Sequence, residues 1–177
     1  PGKGTLAAEE STGTIKKRFD QIDLPSTEDN RRDYREMLFR TDEAMTKYIS
    51  GVILFDETIR QKAKDGTPLV EIIAASGAVP GIKVDMGAKP LPFQESETIT
   101  EGLDGLRERL EEYYSLGARF AKWRAVIDIG PDRPSHNCIN ANAHALARYA
   151  ALCQEANIVP IVATAKMTLG TPGTKAP

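Results

Sequence analysis

Apolar residues in this chain fall into short continuous runs, separated by stretches in which they recur every three or four positions. That is the pattern expected of strands alternating with helices. The run Gly4 to Ala8 predicts a first strand ending at Glu9 and Glu10, after which Ser11 to Thr14 offer capping hydroxyls for a basic helix reaching about Ile22. Ser26 and Thr27 precede a second helical run from about Glu28 to Arg40, with Tyr34, Met37 and Leu38 at helical spacing. "GVILF", Gly51 to Phe55, is the β-branched, unbroken run of a strand covered on both faces, and it ends at Asp56 and Glu57. A short helix from Pro68 to Ala75, stopped by Gly77, leads into a strand "GIKVD", Gly81 to Asp85. Glu101 to Leu116 predicts a helix with Leu103, Leu106, Leu110 and Tyr113 on one stripe. A strand from Phe120 to Gly130 follows. Next comes a helix from about His136 to Glu155, with Ile139, Ala143, Leu146, Ala147, Ala150 and Cys153 as its buried side. A fifth strand, "IVPIV", runs from Ile158 to Val162. Its internal Pro160 counts against a central strand, where a ladder hydrogen bond would be lost.

Strand followed by helix, repeated, implies a parallel sheet with right-handed crossovers. An open doubly wound sheet and a closed β/α barrel both satisfy that order. No G-x-G-x-x-G follows a strand and no G-x-x-x-x-G-K-[ST] occurs, which removes the main sequence reasons for a nucleotide-binding open sheet. Charged residues recur at the C-terminal ends of the first four strands, where barrel enzymes gather their chemistry. The expected class is therefore α/β, a (β/α)8 barrel represented by about its first five β/α units.

"FAKWRAVIDIG" places Lys122 and Arg124 two positions apart, on one face of a strand, inside an apolar run. Lys83 and Asp85 repeat the spacing. If both faces point into a barrel mouth, three cations and a carboxylate converge there, with Glu9 close by, and the result is an anion site. A lysine among like charges gives up its proton more readily, which suits carbonyl chemistry. The plainer alternatives are cations that extend from an edge strand into solvent, and a structural ion pair between Lys83 and Asp85. Glu10 reads as an ordinary acid beside a helix start, and Trp123 as packing against the helical layer.

Composition adds limits. The net charge of −2 gives no global pull toward nucleic acid or an acidic membrane, so anion affinity must be local. No run of eighteen apolar residues and no signal-peptide pattern occurs, from which a soluble, cytoplasmic setting is expected. Cys138 and Cys153, about 22 Å apart along one predicted helix, read as reduced core thiols rather than a disulfide. His136 and His144 lack thiol or carboxylate partners at ligand spacing, so no metal is expected.

"KGTLAAEESTGTIKKR", "GVILFDET", "GIKVD", "GLDGL", "GARFAKWR" and "LARYAALCQEANIVPIV" together resemble the N-terminal part of class I fructose-bisphosphate aldolase, almost without gaps from Gly2 to Val162. The resemblance implies a cytosolic (β/α)8 barrel, usually a homotetramer. It also implies cleavage of fructose 1,6-bisphosphate to dihydroxyacetone phosphate and glyceraldehyde 3-phosphate through a lysine Schiff base, without metal or cofactor. By the same resemblance, Lys122 is the proton-handling lysine, Lys83 and Arg124 hold phosphate and substrate hydroxyls, and Ser11, Thr14 and Arg18 match a segment associated with substrate phosphate.

Two departures qualify it. Glu9 stands where the family has Asp, in "LAAEEST" rather than "LAADEST"; the charge is kept on an arm one methylene longer, and a displacement of about 1 Å can cost on the order of a hundredfold in rate. After "IVPIV" the family reads "EPE" with a catalytic glutamate, whereas here Ala163, Thr164 and Ala165 follow. The chain thus divides into a partial aldolase-type barrel, residues 1–162, and a divergent tail, 163–177. The tail "TAKMTLGTPGTKAP" echoes the family's "LLKPNMVTPG", which makes Lys166 a candidate Schiff-base lysine. The rival expectation, from another functional class, is an inactive barrel fragment serving as an assembly or binding module.

Overall fold

The computed structural model describes residues 2–168, with side chains described through residue 164. The predicted tail and Lys166 therefore fall largely outside the described residues. Five parallel strands form one sheet in the order β1 (Gly4–Ala8), β2 (Ile49–Leu54), β3 (Val79–Lys83), β6 (Phe120–Ile129) and β7 (Val159–Thr168). Each strand lies beside the one before it in this series. A doubly wound sheet reverses direction at a switch point; this one does not, so its winding is that of a barrel. Pro160 is accommodated because β7 is the outer strand of the described sheet, pairing on one side with β6, where Pro160 lies opposite Ala121.

Register decides which side chains share a face. Leu54 is level with Ala8 and Ile82, and Ile82 with Ala121; these, with Val52 and Trp123, are buried on the outer face. Helices cover that face: α3 (Asp42–Tyr48) packs on β2, α4 (Asp56–Arg60) and α5 (Leu69–Ala75) on β3, and α7 (His136–Glu155) on β6 and β7. The alternate residues, Gly51, Ile53, Gly81, Lys83, Phe120, Lys122 and Arg124, line the inner face. The Phe120 ring lies across two neighbouring strands, and a Cβ added to Gly81 would come within 2.3 Å of it. One added to Gly51 would approach to 3.1 Å. Both positions are glycine because the aromatic ring occupies the space a side chain would need.

Several elements depart from the sequence reading. The helix expected from Glu101 starts only at Leu106: Gly102 and Gly105 adopt φ of 133° and 65°, which break the helical path, and α6 runs Leu106–Ser115. The buried stripe of α7 is Cys138, Asn142, Ala145, Tyr149 and Cys153; Ile139 is 45% exposed, and Ala143 and Ala147 are exposed too. Two contacts set that face. Tyr149 stacks on Trp123 with centroids 5.4 Å apart, and the buried Asn142 amide donates to the Thr98 carbonyl at 3.0 Å. Both cysteines are buried and free, and burial pushes the Cys153 thiol up to about 12.

A hairpin absent from the sequence reading, β4 (Ala88–Pro90) with β5 (Thr98–Thr100), covers the upper part of β6. There β3 has ended, and Thr100 and Thr98 hydroxyls donate to the Arg124 and Val126 carbonyls at 2.8 and 2.7 Å, replacing the missing strand. Glu97 anchors the hairpin by accepting from the Ser135 N–H, at 2.6 Å, and the Ser135 hydroxyl. These Ser135 bonds, assisted by the Arg133 charge, hold the Glu97 carboxyl below its ordinary value of 4.5.

Two predictions follow from these contacts. Gly81→Ala forces the Phe120 ring from its place and should destabilise the chain by about 1–3 kcal/mol, read as a lower urea midpoint; Gly51→Ala should cost less. Because the Glu97 carboxyl is depressed in the folded state, its contribution is complete above about pH 4.5 and is lost as pH falls through the folded value. Urea midpoints at pH 7 and pH 3.5 should therefore differ less in Glu97→Gln than in the unaltered chain.

Candidate active site

The strand ends bring the charged residues together at the C-terminal mouth of the sheet. Lys83 and Lys122 occupy paired positions on β3 and β6 and share the inner face. Two neighbouring ammonium groups repel, and each is met by its own carboxylate. Lys83 Nζ lies 2.7 Å from Asp85 Oδ1, and Lys122 Nζ lies 2.9 Å from Glu9 Oε1.

The second pair reports on shape. Glu9 follows β1 and Lys122 belongs to β6, three strand steps away, or about 14 Å in a flat sheet. A direct ion pair across that span fits a sheet that curls, as the arc of a barrel does. Both side chains are largely buried, and the second Glu9 oxygen, Oε2, is buried with no hydrogen-bond partner. A carboxylate with one oxygen committed and the other uncommitted is equipped to accept a proton.

Asp85 is the hub of the β3 side. It is buried and also accepts from the backbone N–H of Arg124, at 3.1 Å, and of Gly87, at 3.2 Å. It thereby fixes Lys83, the backbone at Arg124 and the start of the hairpin loop. The sequence reading placed Asp85 among the converging charges without giving it this role.

The opposite wall comes from α1 (Thr12–Phe19), whose N-cap is Ser11. The Ser11 hydroxyl accepts from the Thr14 N–H at 3.3 Å and lies 3.1 Å from the Thr14 hydroxyl. Arg18 ion-pairs with Glu10 and donates to the Tyr34 hydroxyl at 3.2 Å; the Glu10 charge, reinforced by that bond, raises its guanidinium above the ordinary value. Glu10 is thus a partner of the cleft's arginine, not the free-standing helix-start acid that its position suggested.

Glu9, Ser11, Thr14, Arg18, Lys83, Lys122 and Arg124, every candidate site residue whose side chain is described, line one cleft of about 680 Å³. Of its charged residues, four are cations and three, Glu9, Glu10 and Asp85, are carboxylates. Among the described residues, Arg124 forms no ion pair, so the surplus positive charge sits with it. Lys166 is placed only by its backbone, which pairs with Ile127; its side chain lies outside the described residues.

The charged end of β2 does not converge on this cleft. Asp56 pairs with Arg60 and accepts from the Tyr113 hydroxyl at 2.8 Å, while Glu57 is gripped by Arg31. These residues brace helices to one another.

A parallel, singly wound sheet with a cationic cleft at its C-terminal mouth is the architecture of part of a β/α barrel. The family model described as "Fructose-bisphosphate aldolase class-I" matches residues 1–174, and this chain belongs to that family. It is 65% identical over 162 residues to a probable fructose-bisphosphate aldolase class 1 of Xanthomonas campestris pv. campestris, an alignment covering 92% of this chain and 48% of the relative. Fructose-bisphosphate aldolase 1 of Toxoplasma gondii is 55% identical over 172 residues, 96% of this chain and 47% of that protein. A solved structure of the Plasmodium falciparum aldolase, in complex with TRAP and a small-molecule inhibitor, superposes with a TM-score of 0.89 at 50% identity, covering 93% of this chain and 48% of that one. The chain spans about half the length of the curated relatives it matches. β7 continues to Thr168, beyond the Val162 at which the fifth strand was expected to end.

Removing the hub tests the local electrostatics. Asp85→Ala leaves Lys83 without its carboxylate and the Arg124 and Gly87 backbone N–H groups without an acceptor. It should lower stability by about 3 kcal/mol in urea titration.

Proposed function

We propose that this chain supplies the phosphosugar-binding and proton-moving face of a class I fructose-bisphosphate aldolase, which cleaves fructose 1,6-bisphosphate to dihydroxyacetone phosphate and glyceraldehyde 3-phosphate in glycolysis and gluconeogenesis. The observation that carries this reading is the convergence of Glu9, Lys83, Lys122 and Arg124 with Ser11, Thr14 and Arg18 on one cleft, in a chain of this family.

The geometry supports these roles. Arg124 and Lys83 on one wall and Arg18 with the Ser11 and Thr14 hydroxyls on the other offer donors to phosphate oxygens at both ends of a bisphosphate. Lys122 and Glu9, already hydrogen-bonded, form a pair in which a proton can be held on either atom. In the reaction, a lysine amine adds to the substrate ketone and water leaves; the iminium then draws electrons as the carbon–carbon bond breaks. Lys166 is the candidate for that amine. The mechanism runs on lysine chemistry and calls on no metal or other cofactor.

The setting proposed is cytoplasmic, as a homo-oligomer. A related Arabidopsis thaliana protein, 56% identical over 162 residues, is described as cytosolic. No helix among the described residues is long and apolar enough to cross a membrane.

A second reading, an inactive barrel fragment that binds or assembles, draws on the exposure of Val159, Ile161 and Val162 along β7. One experiment separates the two. Incubation with dihydroxyacetone phosphate and borohydride should add one reduced adduct to a lysine, seen by intact mass and mapped by peptide sequencing. In Lys122→Met, with the proton carrier gone, trapping should slow about a hundredfold. No adduct at millimolar ligand would exclude Schiff-base chemistry in this chain, and calorimetric binding of the same phosphosugar would then favour the second reading.

A further inference from the structure

Arg35, in the middle of α2 (Glu28–Phe39), is fully buried, and nothing in the chemistry above uses it. Burial pushes its guanidinium below the ordinary value, while the Glu10 and Glu57 charges oppose that shift. A buried guanidinium costs far more than an apolar side chain of the same volume, so packing alone does not account for an arginine here. Its contacts do. One terminal nitrogen, Nη2, donates to the main-chain carbonyl of Glu10 at 2.7 Å. The other, Nη1, lies 3.7 Å from Glu57 Oε2.

Glu57 is itself fixed. Arg31, one turn earlier on α2, grips both of its oxygens, with Nε to Oε2 at 2.8 Å, and holds the Ser26 carbonyl at 2.6 Å. The α2 and α4 helices are thereby bolted together, and Arg35 reaches from that anchored point into the turn between β1 and α1. The carbonyl it holds belongs to the residue between Glu9 and Ser11. On one side of that peptide the Glu9 carboxylate meets Lys122; on the other the Ser11 hydroxyl caps α1. β1 has ended at Ala8 and α1 begins at Thr12, so neither strand nor helix fixes the intervening carbonyl at Glu10.

We propose that Arg35 is a positioning residue of the site: its grip on the Glu10 carbonyl sets the β1–α1 turn at the height at which Glu9 reaches Lys122. The inference rests on reading Glu9 and Lys122 as the proton-moving pair, but its test requires no substrate. A shift in the pair without Schiff-base trapping would leave the positioning intact while removing the aldol reading.

The test measures amine labelling by trinitrobenzenesulfonate, resolved by peptide mass spectrometry, in the unaltered chain, Arg35→Met and Arg35→Lys. Lys83 is the internal reference, because Asp85 holds it and does not touch the β1–α1 turn. In Arg35→Met, loss of the charge-assisted bond should free Glu9 and raise the Lys122 to Lys83 labelling ratio about tenfold. In Arg35→Lys a single ammonium can hold the carbonyl but cannot also face Glu57, and the rise should be about threefold. A purely structural role predicts that both lysines gain reactivity together as the fold loosens. An unchanged ratio in a folded Arg35→Met variant, or a joint rise, overturns the proposal. Should Arg35→Met fail to fold, the ratio in Arg35→Lys decides by the same criterion.

Discussion

The ion pair between Lys122 and Glu9 joins strand ends three steps apart across the inner face of a sheet whose other face is covered by helices. In a parallel sheet that alternates side chains strictly, covering one face commits every second residue to the other. The outer set, Val52, Leu54, Ile82, Ala121 and Trp123, is apolar and buried. The inner set is left to carry chemistry. Lys83 and Lys122 then stand side by side by register alone, with no freedom to avoid each other.

Two neighbouring ammonium groups in a partly desolvated cleft are tolerable only with counter-charges, and the fold delivers these from different elements. Asp85 comes from the same strand end as Lys83, Glu9 from a strand three steps away, and Glu10 pairs with Arg18 on the far wall. Each carboxylate is also a fastening. Asp85 ties the hairpin loop to β6, and the turn carrying Glu9 and Glu10 is tied through Arg35 to α2 and α4. Charge balance and loop position are therefore one problem with one solution. Among the described residues, Arg124 is the cation of this cleft left without a carboxylate partner.

Much of this was legible in the sequence, for reasons that can be named. A continuous β-branched run gave β2, apolar runs interrupted by charges gave β3 and β6, and the two-residue spacing of Lys122 and Arg124, and of Lys83 and Asp85, set them on one face without reference to any partner. The face of α7 was misread because hydrophobicity favoured Ile139, whereas an aromatic stack through Tyr149 and a buried Asn142 decided the packing. The hairpin was invisible because β4 is three residues long, with Lys89 and Pro90, and is held by threonine hydroxyls rather than an apolar face. Arg35 was hidden for a related reason. An arginine in a charged helix reads as solvated, and only the three-dimensional position of Glu10 and Glu57 makes it internal. Asp56 and Glu57, at a strand end like the site residues, face helices instead; strand-end position alone does not say which way a side chain turns.

Phe120, seated over Gly51 and Gly81, has a last consequence. Its ring lies one layer below the row of Lys83 and Lys122 on the inner face, so ring carbon rather than a hydrogen-bonding group backs the charged layer there. Charge on this part of the inner face is thereby gathered toward the C-terminal mouth, with glycine and an aromatic ring beneath it.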